Sequence, residues 1–126
     1  MSASSNNTFE SLRVWHDARQ LTARIYTVTR VGRLANDFGL SDQLRRSAVS
    51  VMSNIAEGHE RGSNAEFRRF LGIAKGSCGE LRSQLYTAED VGYLEHALAA
   101  GLRTGTLRLS RAIQALAQHR AGTTPR

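Results

Sequence analysis

The chain has 126 residues, 40% of them hydrophobic and 22% charged, a balance that suits one folded domain and excludes a disordered chain. Its net charge is +6 and its pI about 10.7, and Lys75 is the only lysine among the 17 basic residues. Arginine matches phosphate and carboxylate in bidentate geometry, so the excess points to a polyanionic partner such as RNA or DNA; the alternative is arginine serving only on solvated faces. No apolar run reaches 18 residues, and Met1 to Thr8 lacks the apolar segment of a signal peptide, so a cytoplasmic protein without a membrane partner is expected. Cys78 is the single cysteine, which excludes an internal disulfide and a cysteine-built zinc site.

Residues 1–10 read as a polar tail, with Thr8 or Ser11 able to cap the first helix. Val14, Ala18, Leu21, Ile25 and Val28 then alternate spacings of four and three, the seam of a core-facing helix, and Leu12 and Trp15 widen it. Gly32 suits a left-handed terminator, and Arg33 to Gly39 reads as a loop. The second helix is expected to start at Ser41 as N-cap and to bury Leu44, Ala48, Val51 and Ile55, with Ser47, Ser50 and Asn54 beside that line. Gly58 is expected to end it with a positive φ, leaving His59 to Gly62 as a link.

Ser63 and Glu66 form a capping box ahead of the longest seam, Phe67, Leu71, Ala74, Cys78, Leu81, Leu85 and Ala88. Gly72, Gly76 and Gly79 each cost about 1 kcal/mol inside a helix, which suggests close approach of another backbone. Gly92 ends this helix. The fourth starts at Leu94 or Glu95 with a seam of Leu98, Leu102, Gly105, Leu109, Ala112 and Leu116. Residues 120–126 read as a disordered tail. Four amphipathic helices with short links, over residues 11–119, predict an all-α, antiparallel up-down-up-down four-helix bundle.

Catalytic chemistry is not indicated. The histidines His16, His59, His96 and His119 are scattered, and no Glu-x-x-His pair is present. Gly72 to Ser77 lacks the Lys-Ser/Thr order of a phosphate loop and lies inside a helix seam. Cys78 sits on an apolar line and reads as a buried residue rather than a nucleophile. No cofactor, metal or small-molecule substrate is expected. An enzyme with its site between subunits is disfavoured for want of a convergent acid, base or nucleophile.

Two sets of polar residues stand out. Asn54, Glu57 and Glu80 are expected to form a polar network inside the bundle or across a subunit boundary; the alternative is that both glutamates are solvated beside arginines. Arg45 and Arg46 make a basic step with a continuation in Arg61, Arg68 and Arg69, expected as a phosphate-binding patch near one end of the bundle. Few aromatics lie among them, so binding would be sequence-nonspecific and salt-sensitive. Solvated arginines balanced by Glu57, Glu60 and Glu66 are the alternative.

An ordered series of short strings carries a resemblance. It runs Phe9-x-x-Leu12-x-Val14-Trp15, Ile25-Tyr26, Phe38-Gly39-Leu40, Gln43-Leu44-Arg45-Arg46-Ser47-Ala48, Asn54-Ile55-Ala56-Glu57-Gly58, Glu66-Phe67-x-Arg69-Phe70-Leu71 and Gly76-Ser77-x-x-Glu80-Leu81. Across about Phe9 to Leu94 the chain resembles the four-helix-bundle proteins encoded in intervening sequences of bacterial 23S ribosomal RNA genes. That family includes the accessory variability determinant of diversity-generating retroelements. The resemblance implies a homopentamer, nucleic-acid binding and, in the retroelement branch, a reverse transcriptase partner, without enzymatic activity. It assigns Arg45, Arg46 and Arg69 as phosphate contacts, and Asn54, Glu57 and Glu80 as structural or assembly residues; Trp15, Gly76 and Ser77 join the latter set. The chain departs from the family pattern at Gly32-Arg33, where Phe-Pro is usual, at Met52, where a proline is usual, and at Asn36, where an acidic residue is usual. A protein-interaction adaptor for an acidic protein partner is the competing function.

Overall fold

The computed structural model describes residues 7–122. They form four α-helices, α1 (Arg13–Thr29), α2 (Phe38–Glu60), α3 (Asn64–Asp90) and α4 (His96–Gly122), with 3-10 turns at Phe9–Ser11 and Arg33–Asn36 and no strand among the described residues. Cross-helix contacts fix the directions. Thr22 meets Ala48 while Thr29 meets Arg45; Ser47, Ser50 and Gly58 meet Gln84, Ser77 and Phe70. Arg103 meets Glu89 and Arg120 meets Asn64. Forward along one helix is backward along its neighbour each time, so the chain is the antiparallel up-down-up-down bundle that the seams predict.

The seams of α1, α2 and α3 are all buried as read from their spacing. In α4 the buried line is Ala99, Leu102, Thr106, Leu109 and Ile113: Leu102 and Leu109 are buried as expected, Ala99 and Thr106 take the places of Leu98 and Gly105, and Leu98 is exposed. Thr106 hides the register. Its hydroxyl donates to the Arg103 carbonyl at 2.6 Å, so a residue that reads as polar enters the core with its hydrogen bond made.

Three boundaries also differ from expectation. α2 begins one turn earlier, at Phe38, because Asp37 is the N-cap: its carboxylate accepts from the Leu40 N–H at 3.1 Å. Ser41 therefore lies inside the helix, buried, and its hydroxyl donates to the Leu34 carbonyl. The segment read as a loop is a 3-10 turn that buries Leu34 completely. This end is stitched further by Arg33, which donates to the Gly92 carbonyl at 2.9 Å, and by Tyr93, whose hydroxyl donates to Asp37 at 3.0 Å. At the chain ends, Phe9–Ser11 is a 3-10 turn rather than tail, and α4 continues to Gly122. Residues 1–6 and 123–126 of the two expected tails lie outside the described residues.

The third boundary concerns Gly58. It does not terminate α2; the helix runs to Glu60, so His59 is helical, and the positive φ of 88° belongs to Gly62. Gly58 is buried where α2 crosses α3, and a Cβ there would stand 2.5 Å from Cβ of Phe70 and 3.2 Å from Cδ1 of Phe67. The close approach expected of Gly72, Gly76 and Gly79 is not made within the chain, since a Cβ at any of the three meets nothing within 4 Å. Ser63 caps α3 as expected, accepting from the Glu66 N–H at 3.1 Å.

These two kinds of glycine should respond oppositely to alanine. Gly58→Ala overpacks the crossing and is expected to lower the unfolding free energy by about 1–3 kcal/mol. In the monomeric chain, at low protein concentration, Gly76→Ala relieves a propensity cost in open space and should raise it by up to about 1 kcal/mol. Urea unfolding monitored by circular dichroism measures both. A Gly58→Ala midpoint equal to that of the parent would mean that the crossing relaxes freely.

Candidate functional site

The five arginines of the expected patch take different positions. Arg45 is half-buried on the α1 side of α2: its Nε donates to Thr29 Oγ1 at 2.8 Å, and its guanidinium lies 4.7 Å from the Tyr26 ring centre. Arg46 points to solvent and pairs with Asp42 one turn back at 2.6 Å, a bond that raises its already high pKa. Arg61 donates to Glu57 at 2.9 Å and approaches Glu66 at 3.6 Å. Arg69 lies 3.4 Å from Glu66, and both guanidiniums stack on Phe70, at 4.9 and 4.5 Å. Arg68 is exposed and has no partner among the described residues.

The structure therefore does not gather these arginines at one end. Arg46 and Arg61 are separated by about 22 Å at the rise of an α-helix. Arg61 and Arg69 are balanced by Glu57 and Glu66 and clamp the α2–α3 corner from outside, above the Gly58–Phe70 contact. Arg45 joins α1 to α2. Arg46, paired with Asp42, has a largely exposed side chain, and Arg68 is exposed.

A polar ladder does cross α2 and α3, with other members than expected. Asn54 Nδ2 donates to the Ser50 carbonyl at 2.8 Å and to Ser50 Oγ at 3.1 Å; Ser50 and Ser77 hydroxyls lie 2.8 Å apart, and Ser47 donates to Gln84 at 3.0 Å. Small hydroxyls can bond across helices in close contact, whereas glutamates are too long and too costly to bury. Glu57 is instead exposed with Arg61, and Glu80 is exposed on the rim of a groove of about 360 Å³ shared with Gln43, Arg46, Ser47, Ser50 and Gln84. Gln84 went unread, although it lies seven residues from Ser77 and so on the same face. Trp15 packs edge-on to Phe9 at 5.0 Å, with Arg19 over its ring at 5.5 Å, and is half-buried by its own chain. Gly76 lies on the open outer face of α3.

Cys78 is fully buried, and that burial pushes its thiol up to about 11. It is protonated at neutral pH. The histidines occupy four separate places. The His16 ring contacts the Glu10 carbonyl, His59 stands edge-on to Phe67, His96 meets Glu89, and His119 is exposed near the end of α4. No group of three metal-ligating side chains assembles among the described residues, and no helix among them is long and apolar enough to cross a membrane.

Glu89 clasps α3 to α4, bonding to His96 Nδ1 and Arg103 Nη1, each at 2.6 Å, while Arg103 covers Tyr86 at 4.0 Å. The His96 bond first, and then the Arg103 bond, holds the Glu89 carboxyl below the usual glutamate range.

Four antiparallel helices with an arginine-studded exterior and a small-residue polar ladder define the class: an all-α bundle whose distinctive residues cross-link helices or face solvent. The model of the 23S rRNA-intervening sequence protein family matches residues 10–115, and the chain belongs to that family. The fold is shared with the crystal structure of a protein with unknown function from the S23 ribosomal protein family of Bacteroides thetaiotaomicron VPI-5482. The two superpose with a TM-score of 0.75 at 20% identity, covering 82% of this chain and 97% of that one. No curated protein matches this chain. At Met52, where the family pattern usually has proline, α2 runs unbroken.

Two measurements follow from these placements. Arg45→Ala removes a hydrogen bond and a ring contact and should cost about 1–3 kcal/mol of stability, whereas Arg68→Ala should stay within about 0.5 kcal/mol. Denaturant midpoints of the two variants would separate a helix-joining arginine from an available one. Because the folded pKa of Glu89 is depressed, its stabilisation is present above the unfolded value of roughly 4.3 and is lost as pH falls through the folded value. Glu89→Gln should accordingly flatten the decline of stability between about pH 5 and pH 3. A decline as steep as the parent's would assign the acid sensitivity to other carboxylates.

Proposed function

We propose that this chain is a non-enzymatic homo-oligomer, pentameric as the family resemblance implies, that binds nucleic acid non-specifically through exposed arginines. One observation carries the reading. Arg19, Arg24, Arg30, Arg68, Arg108 and Arg111 are exposed, and among the described residues none of them pairs with a carboxylate. Guanidiniums left unpaired on a chain of net charge +6 are available to phosphate, and counterion release supplies most of the affinity of such contacts.

Assembly is supported by the outer face of α3. A Cβ at Gly72, Gly76 or Gly79 would meet nothing within 4 Å among the described residues, Ile73 and Tyr86 are exposed on the same helix, and the propensity cost of three glycines calls for a return elsewhere. A protein partner is a second reading. Its support is the end of the bundle where Val31, Phe38 (79% exposed) and Val91 are all uncovered, a patch suited to an adaptor or to a reverse transcriptase of the retroelement branch.

Light scattering of the protein with and without a short RNA duplex, at about 50 and 200 mM salt, tests the reading. The expected result is a five-chain mass that gains RNA at low salt, with affinity lower by roughly 10³ or more at high salt if six or more phosphates are contacted. An oligomer indifferent to RNA at low salt would move the function to the apolar end and a protein partner. A monomer would overturn the assembly.

A further inference from the structure

A groove of about 350 Å³ runs between α1 and α4, lined by Arg13, Asp17, Gln20, Leu21, Arg24, Gly105, Arg108 and Leu109. Gly105 adds no side chain to it, and the backbone there lies close to Leu21: a Cβ at this position would stand in ordinary van der Waals contact, 3.8 Å from Leu21 Cδ1. Its floor is apolar, made by the buried Leu21 and Leu109. Its walls are basic. Arg13, Gln20 and Arg24 recur along one face of α1, and Arg108 stands across from them on α4.

The charges here are uncommitted. Arg24 and Arg108 have no side-chain partner among the described residues, and Arg13 has only Asp17, at 3.9 Å and largely exposed. Three guanidiniums thus face one carboxylate. Their order along the groove follows from the antiparallel pairing of Leu21 with Gly105. Relative to that level Arg24 lies about 4.5 Å to one side, Arg108 about 4.5 Å to the other, and Arg13 about 12 Å to that same side. The result is a row of cations with steps of about 9 and 7.5 Å, within the reach of flexible side chains. No aromatic residue lines the groove, so it offers nothing for base stacking.

We infer that the α1–α4 groove is the seat of one strand's sugar–phosphate backbone, with Arg13, Arg24 and Arg108 as phosphate contacts and Gln20 as an amide donor. This assignment rests on the nucleic-acid reading above and moves its centre away from Arg45, Arg46 and Arg69. The forked guanidinium pairs with phosphate oxygens, and the apolar floor strengthens that pairing by excluding water from one side. Asp17 opposes it.

The test compares the parent with Arg24→Ala/Arg108→Ala, with the charge-matched pair Arg33→Ala/Lys75→Ala outside the groove, and with Asp17→Asn. Binding of one short RNA duplex is titrated by fluorescence anisotropy at several salt concentrations, after circular dichroism shows that each variant is helical. The groove pair should lose roughly tenfold in affinity at low salt and reduce the salt slope by about two. The charge-matched pair should lose less than about threefold, and Asp17→Asn should bind more tightly than the parent. Equal losses in the two double variants, with no gain in Asp17→Asn, would overturn the groove and leave general arginine-mediated binding standing. A parent that does not bind RNA at low salt would overturn the nucleic-acid reading itself.

Discussion

The bundle is organised by the contact of Gly58 with Phe70. A missing side chain lets two helices cross closely, and at Gly58 the Cβ of Phe70 occupies the space that a Cβ would need. Above and below that point α2 and α3 are held in register. Ser47 reaches Gln84 and Ser50 reaches Ser77 on one side, with Asn54 bonded to Ser50; on the other, Arg61 and Arg69 stack on the same Phe70 ring. A hydroxyl ladder of this kind works only at short range, so the ladder and the glycine depend on one another. The Asn-Ile-Ala-Glu-Gly string joins them, with Asn54 at the ladder and Gly58 at the crossing.

Arginine serves two ends here, and context separates them. Where a guanidinium finds an aromatic face and a hydroxyl or carboxylate within the same chain, as at Arg45, Arg61 and Arg103, it joins helices. Its planar, weakly hydrated head makes that feasible, and a lysine would leave the ring contact poor. Where no carboxylate lies within reach, as at Arg24, Arg68 and Arg108, the charge remains for another molecule. The net charge of +6 therefore overstates the number of arginines committed to the fold and conceals which are free. That distinction lies in the neighbours.

This explains what could be read from the sequence. The number of helices, their directions and the seams of α1 to α3 were legible, because apolar spacing of three and four has one physical meaning in a short-linked chain. The start of α2 was not, since Asp37 and Ser41 are both good caps and only Asp37 is placed to accept from the helix start while Ser41 bonds back to Leu34. In the α4 seam Leu102 and Leu109 were legible and Thr106 was not, because it satisfies its hydroxyl locally and buries a methyl. The candidate site was less legible still. Adjacency in sequence grouped Arg61, Arg68 and Arg69 and joined them to Arg45 and Arg46 across about 22 Å of helix, whereas Arg61 and Arg69 share Glu66 and Phe70 and Arg68 stands apart. The α1–α4 groove is not legible in the sequence because its two walls are about 85 residues apart there.

The free glycine face of α3 and the basic groove lie on different parts of the bundle, and this separation has a consequence. A single groove with three guanidiniums and one opposing carboxylate is a weak binder in salt, because each exposed ionic contact contributes little once screened. Packing copies through the α3 face would leave every α1–α4 groove open. Several identical grooves on one particle would then meet one polyanion at high effective concentration, multiplying affinity without any new contact. Such avidity needs no sequence recognition, which agrees with a groove that has cations and an amide but no ring to stack a base. On the proposed reading the two properties have an order: assembly would come first, and useful nucleic-acid affinity would follow from it.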